Sequence, residues 1–144
     1  MKMLFNRNWK FSLNQPHAPH LNSTDDANWR TVQLPHDWSA ELPFSQEKGA
    51  SCTGFLPGGM GWYRKHFATS PEMFDGTTLL MFDGVYNNAD FYINGTHVGF
   101  HPYGYTPYAV ELTPWLKPLG QDNVVAVRVD HTRYADSRWY TGSG

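Results

Sequence analysis

The chain has 144 residues, 11 basic and 13 acidic, with 40% hydrophobic, 17% charged and 16% aromatic side chains. That composition suits one folded domain with a single core and rules out both a disordered chain and a coiled coil. A net charge of −2 leaves no basic excess to displace counterions from a nucleic acid. No apolar run approaches bilayer length. The lone cysteine, Cys52, excludes an internal disulfide framework or a Cys-cluster zinc site.

Met1 to Phe5 is a short apolar stretch followed by polar Asn6, Arg7 and Asn8, which does not read as a secretory leader. A cytoplasmic location is expected if Met1 is the native start, with a periplasmic one as the alternative. Trp9, Phe11 and Leu13 alternate with Lys10 and Ser12, the pattern of a half-buried strand. The polar stretch Asn14 to Asn28 reads as a surface loop. Alternation resumes from Trp29 to Leu34 and stops at Pro35. His36 to Gly61 is a loop of about 25 residues, a length that usually signals function or an interface. Trp62 to Phe67 reads as a strand, and Thr78 to Phe82 as a strand buried on both faces.

Asn94-Gly95 between alternating segments is the favoured two-residue hairpin turn, because both central residues must accept positive φ. It predicts that Ile93 opposes Thr96, Phe91 opposes Val98 and Ala89 opposes Phe100. Phe91, Val98 and Phe100 should then be buried together. Thr113-Pro114-Trp115-Leu116 predicts one short helical turn. Val125, Val127 and Val129 form one face of a further strand, with Val124, Ala126 and Arg128 on the other. From Tyr134 to Gly144 periodicity ceases, and order there is expected to come from partners. Seven or eight short strands without a long amphipathic helix predict an all-β, antiparallel sandwich.

The chemistry-bearing residues are scattered. Of the seven histidines, His17 and His20 sit three apart in a proline-rich loop, and surface histidines are favoured over a metal site. Gly58-Gly59-Met60-Gly61 does not open a helix and is no phosphate cradle. Glycoside hydrolysis needs two carboxylates across a cleft. The spacing of Asp37, Glu41, Glu47, Asp83, Asp90 and Asp136 singles out no pair. Tyr103, Tyr105, Tyr108 and Trp139-Tyr140 could stack on sugars, make an interface or cap the core.

Several motifs together resemble one family. They are WRTVQLPHDW (Trp29–Trp38), TGFLPGGMGWYRK (Thr53–Lys65), FDGV (Phe82–Val85), INGTHVG (Ile93–Gly99), GYTP (Gly104–Pro107) and SRWYTGSG (Ser137–Gly144). In this order they resemble the N-terminal sugar-binding domain of glycoside hydrolase family two, in its β-galactosidase-like members. The resemblance implies a jelly-roll β-sandwich of the galactose-binding type over residues 1–144. It implies a single N-terminal domain that stops before its last strand and before an immunoglobulin-like domain and a catalytic barrel. No activity is then expected from this chain alone, no catalytic residue lies in it, and no cofactor is required. The parent would be a retaining O-glycosyl hydrolase of the β-galactosidase type. Asp136 matches the family's substrate-contacting aspartate, with Arg138 and Trp139 beside it. A second family contact, an asparagine, has no counterpart among Ala50 to Gly59. The expected partners are the parent's own barrel and a galactoside-like carbohydrate, with homo-oligomer formation through an uncovered edge. The alternatives are an autonomous carbohydrate-binding module, or a parent of β-glucuronidase or β-mannosidase specificity.

Overall fold

A computed structural model describes residues 2–15, 18–49, 51–132 and 142–144. Among the described residues there are eight strands: β1 (Trp9–Leu13), β2 (Arg30–Val32), β3 (Gly59–Ala68), β4 (Leu79–Phe82), β5 (Ala89–Ile93), β6 (Thr96–His101), β7 (Tyr108–Glu111) and β8 (Asp122–His131). An antiparallel sheet runs β2-β1-β3-β8-β5-β6, and β4 pairs with β7 in a second, smaller sheet. The fold is the all-β sandwich that the sequence predicts.

Period-two alternation decides what faces inward. One row across the large sheet is Phe11–Tyr63–Val127–Phe91, and all four are buried. The neighbouring row, Ser12–Trp62–Arg128–Asp90–Phe100, faces the other way. The small sheet closes the core through Leu80 and Val110, and the Phe91 ring meets Phe82 and Tyr108 at 4.8 and 5.0 Å. Burying an aliphatic or aromatic side chain of this kind contributes about 1.5–3 kcal/mol.

The hairpin forms at Asn94-Gly95, with φ of 49° and 84°. Its predicted register holds for Ile93↔Thr96 and then slips, because β6 carries an extra residue. Beyond the bulge Phe91 faces Gly99 and Asp90 faces Phe100, so Phe100 lies 49% exposed instead of buried. Gly99 is required there: a Cβ would come within 2.5 Å of the Tyr108 hydroxyl. Val98 still packs against the core. β4 is also not buried on both faces, since Leu79 and Met81 are 53% and 59% exposed on the outside of the small sheet. The Thr113 turn is a single 3₁₀ turn, and its hydroxyl accepts a hydrogen bond from Thr78 N at 2.7 Å.

A strap of residues 18–28 lies over the outer face of the large sheet. Arg64 on β3 is fully buried beneath it and donates to the Asp26 carboxylate at 2.6 Å, to Leu21 O at 2.8 Å and to Pro19 O. His66, two residues along the same face, bridges Asp26 at 2.9 Å and Asp122 at 2.8 Å. His20 stacks on Tyr92 at 4.6 Å.

Candidate functional site at one end of the sandwich

Three segments meet at one end of the molecule: residues 36–39 after β2, residues 84–88 before β5, and Gly142–Gly144. The last three residues are stitched in from both sides. Trp38 N donates to Ser143 O at 3.1 Å, Tyr86 N donates to Gly144 O at 2.9 Å, and Gly144 N donates to Tyr86 O at 3.2 Å. Only glycine fits at 144, where φ is 144° and a Cβ would stand 2.3 Å from His36 O.

Side chains complete the knot. One oxygen of Asp37, Oδ1, accepts from Ser39 N (3.0 Å), Ser39 Oγ (2.7 Å) and Ser143 N (3.1 Å). Ser143, 1% exposed, hydrogen-bonds through Oγ to His131 Nδ1 at 2.6 Å. His131 ends β8, and the chain between these two partners includes residues 133–141. Burial lowers the His131 pKa below its ordinary value, against the pull of Asp37 and Asp130, so the ring is neutral at pH 7. Beneath the knot, Trp38 donates to Gly58 O at 3.2 Å and presses on Gly61, where a Cβ would meet its ring at 2.5 Å.

Around the knot the surface is aromatic on one side and charged on the other. Tyr86 meets His131 and Tyr105 edge-on at 5.2 and 5.5 Å, and Tyr103 lies 5.6 Å from Tyr105. Tyr103 and Tyr105 are exposed, whereas Tyr108 belongs to β7 and stacks on His101. On the other side Tyr63 OH bonds to His36 Nδ1 at 2.7 Å, and burial keeps that phenol protonated. Glu41 pairs with Arg30, whose hydrogen bond holds the carboxyl below its usual range. A groove between the sheets opens beside Gly144 and is lined by Trp9, Leu34, Phe82, Val85 and Val129.

These placements decide what the carboxylates can do. Asp37 ties backbone, Glu41 pairs with Arg30, and Asp90 pairs with Arg128 and His97. Glu47 is exposed, and Asp83 is the one acid lining the groove among the described residues. Asp37, Glu41 and Asp90 are thus each committed to a structural partner. The residues that the resemblance puts at the sugar, Asp136, Arg138 and Trp139, lie outside the described residues, as does His17. The knot itself escaped the sequence reading, which expected Tyr134 to Gly144 to rely on partners throughout. Asp37 and Ser143 are 106 positions apart, so no local pattern links them.

Residues 2–143 match the family model described as the sugar binding domain of the glycosyl hydrolases family 2. The chain is 43% identical over 141 residues to a β-galactosidase of Bacteroides ovatus, covering 97% of this chain and 16% of that protein. It is 34% identical over 131 residues to a β-glucuronidase of Formosa agariphila, covering 90% of this chain and 13% of that one. A solved β-glycosidase from Bacteroides vulgatus superimposes with a TM-score of 0.90 at 40% identity, over 97% of this chain and 18% of that structure. The chain therefore spans under a fifth of the length of each of these relatives.

Proposed function

Because this chain belongs to the sugar-binding domain family of the family 2 glycosyl hydrolases, we propose that it is the non-catalytic N-terminal domain of a retaining β-galactosidase-type enzyme. In this reading the domain packs on the parent's own catalytic barrel, and residues 133–141 supply Asp136, Arg138 and Trp139 to the sugar pocket. An ionised aspartate suits that task, since its two oxygens accept hydrogen bonds from two sugar hydroxyls and so fix orientation. An arginine beside it offers donors in a rigid fork, and an indole face packs against the C–H face of a pyranose.

The observation that carries the reading is the bond between His131 and Ser143. The domain itself fixes both ends of the intervening segment, which is what a loop that presents side chains to another domain needs. The outward Leu79 and Met81 on β4 give an apolar face suited to covering by another domain of the parent. A β-glucuronide is the second candidate substrate, favoured by the identity to the Formosa β-glucuronidase.

The test assays the 144-residue chain and its full-length parent side by side on aryl β-galactoside and aryl β-glucuronide. The parent should hydrolyse the galactoside faster, and the chain alone should show no turnover above buffer. Preference for the glucuronide would move the substrate to the second reading. Turnover by the chain alone that vanishes on mutating one of its carboxylates would overturn the non-catalytic assignment.

A further inference from the structure

We infer that Asn94 is a covalent modification site: water deamidates it once the tip of the β5–β6 hairpin lifts from β8, and the product cannot close that tip again. The fold holds the reaction off through the bonds of this one side chain.

Asn94-Gly95 is the one Asn-Gly pair in the sequence. Such a pair is reactive because glycine puts no Cβ in the way of its own backbone nitrogen. The Gly95 nitrogen attacks Cγ of Asn94 and a C–N bond forms. The Gly95 N–H proton passes to Nδ2, the Cγ–Nδ2 bond breaks, and ammonia leaves behind a five-membered succinimide. Water then opens the ring at either carbonyl and yields aspartate or isoaspartate. The sum is one amide and one water giving one carboxylate and one ammonium ion. The turn itself is not crowded: the atom nearest to a Cβ built on Gly95 would be Leu21 Cδ2, at 3.9 Å.

What resists is the place of the amide. Its Nδ2 donates to Trp115 O at 2.9 Å and to Asn123 Oδ1 at 2.8 Å. Its Oδ1 accepts from Val124 N at 3.0 Å and, more weakly, from Asn22 Nδ2 at 3.5 Å. The backbone adds a bond from Asn94 N to Val124 O at 2.9 Å. The nitrogen that must leave is therefore the one that latches the hairpin to the 113–115 turn and to β8. Closing the succinimide breaks both of its bonds, so the reaction runs through a locally opened tip.

The same geometry makes the step one-way. Aspartate puts a carboxylate oxygen where Nδ2 stood, opposite two acceptors, Trp115 O and Asn123 Oδ1. Asn123 is fully buried and cannot turn its amide to help. Its Oδ1 also accepts from Lys117 N at 2.9 Å, and its Nδ2 donates to Gln121 O at 3.0 Å. Acceptors left facing one another without a donor are costly. Isoaspartate instead adds a methylene to the main chain inside a two-residue turn that is set by φ values of 49° and 84°.

The experiment incubates the full 144-residue chain in mildly alkaline buffer, folded and in urea. Mass spectrometry of the peptide carrying Asn94 follows the exchange of –NH2 for –OH. Asn94 should react in urea and at least about tenfold more slowly in the folded chain. Asn123→Ala removes one acceptor, and Asn94 in that folded variant should react about 2- to 12-fold faster than in the unsubstituted folded chain. Asn94→Asp imitates the product and should lower the folding equilibrium constant by about 5- to 150-fold in a urea titration. That measurement stands whether or not Asn123→Ala folds. No reaction at Asn94 in urea would remove the site. Equal rates in the folded chain and in urea would overturn the latch, and an Asn94→Asp chain as stable as the unsubstituted one would overturn the one-way step.

Discussion

Two fastenings hold loops to this sandwich, and they use opposite chemistry. On the outer face the 18–28 strap is held by charge: Arg64 buried against Asp26, and His66 between Asp26 and Asp122. At the end of the sandwich the 142–144 segment is held by backbone pairing and by a neutral His131 bonded to Ser143. Burial opposes charging at both histidines. At His66 the hydrogen bonds from the ring to Asp122 and Asp26 outweigh it and raise the pKa, whereas at His131 no carboxylate among the described residues bonds to the ring and the pKa falls. The same residue type therefore has its charged form favoured in one place and its neutral form in the other. What separates them is the presence of a carboxylate within bonding distance.

The largest expected effect breaks the charged fastening outright. Arg64→Ala should destabilise the domain by about 3–5 kcal/mol, because it leaves Asp26 and two strap carbonyls under the strap without their donor. Denaturant unfolding of the purified chain measures it, and a loss under about 1 kcal/mol would mean the cluster behaves as an exposed ion pair. Arg64→Met, of similar bulk, tests whether packing or charge matters more.

A smaller effect sharpens the comparison through pH, and the two signs must differ. His66 has a raised folded pKa, so its contribution is full below its ordinary value of 6.5 and is lost as pH rises through the folded value. Replacing His66 by Gln should therefore cost more stability at pH 6 than at pH 9. The groups around it keep this attribution clean: Arg64 on its own strand, Asp26 and Asp25 on the strap, Asp122 on β8, Lys117 bonded to Asp122 O, and Lys10 on β1 beside Arg64. Asp26, with its pKa lowered, loses its share only in acid. His131 runs the other way. Its contribution is complete above 6.5 and falls as pH drops toward the lower folded value, so His131→Asn should flatten the acid side of the stability curve. Melting temperatures of both variants across pH 5–9 check it, and parallel curves would erase the distinction between the two clasps.

Much of the fold was legible because local rules acted alone. Asn94-Gly95 fixed a turn, and the alternating valines of β8 fixed a strand. The register beyond Phe91 was not legible, since the bulge answers to the Tyr108 side chain against Gly99, a contact between strands. The apolar run of β4 could not reveal that its small sheet has one open face, because a continuous run reads the same either way. At the site the balance is similar. Family motifs proposed Asp136, which lies outside the described residues, while the contact of Asp37, Ser143 and His131 arises only through folding. Arg64 gave a signal that could have been used: Trp62, Arg64 and His66 share one strand face, and Asp25-Asp26 offers acids nearby in the loop.

The central proposal is that this domain lends Asp136 to the sugar pocket of another domain, which carries the chemistry. The most direct measurement is kcat/KM of Asp136→Ala in the full-length parent on its preferred aryl glycoside, with unfolding measured on the same protein. One lost charge-assisted hydrogen bond to a sugar hydroxyl is worth about 1.5–3 kcal/mol, a loss of about 10- to 150-fold, with an unchanged melting temperature. Unchanged kinetics in a correctly folded variant would remove Asp136 from the pocket and leave the domain a structural role.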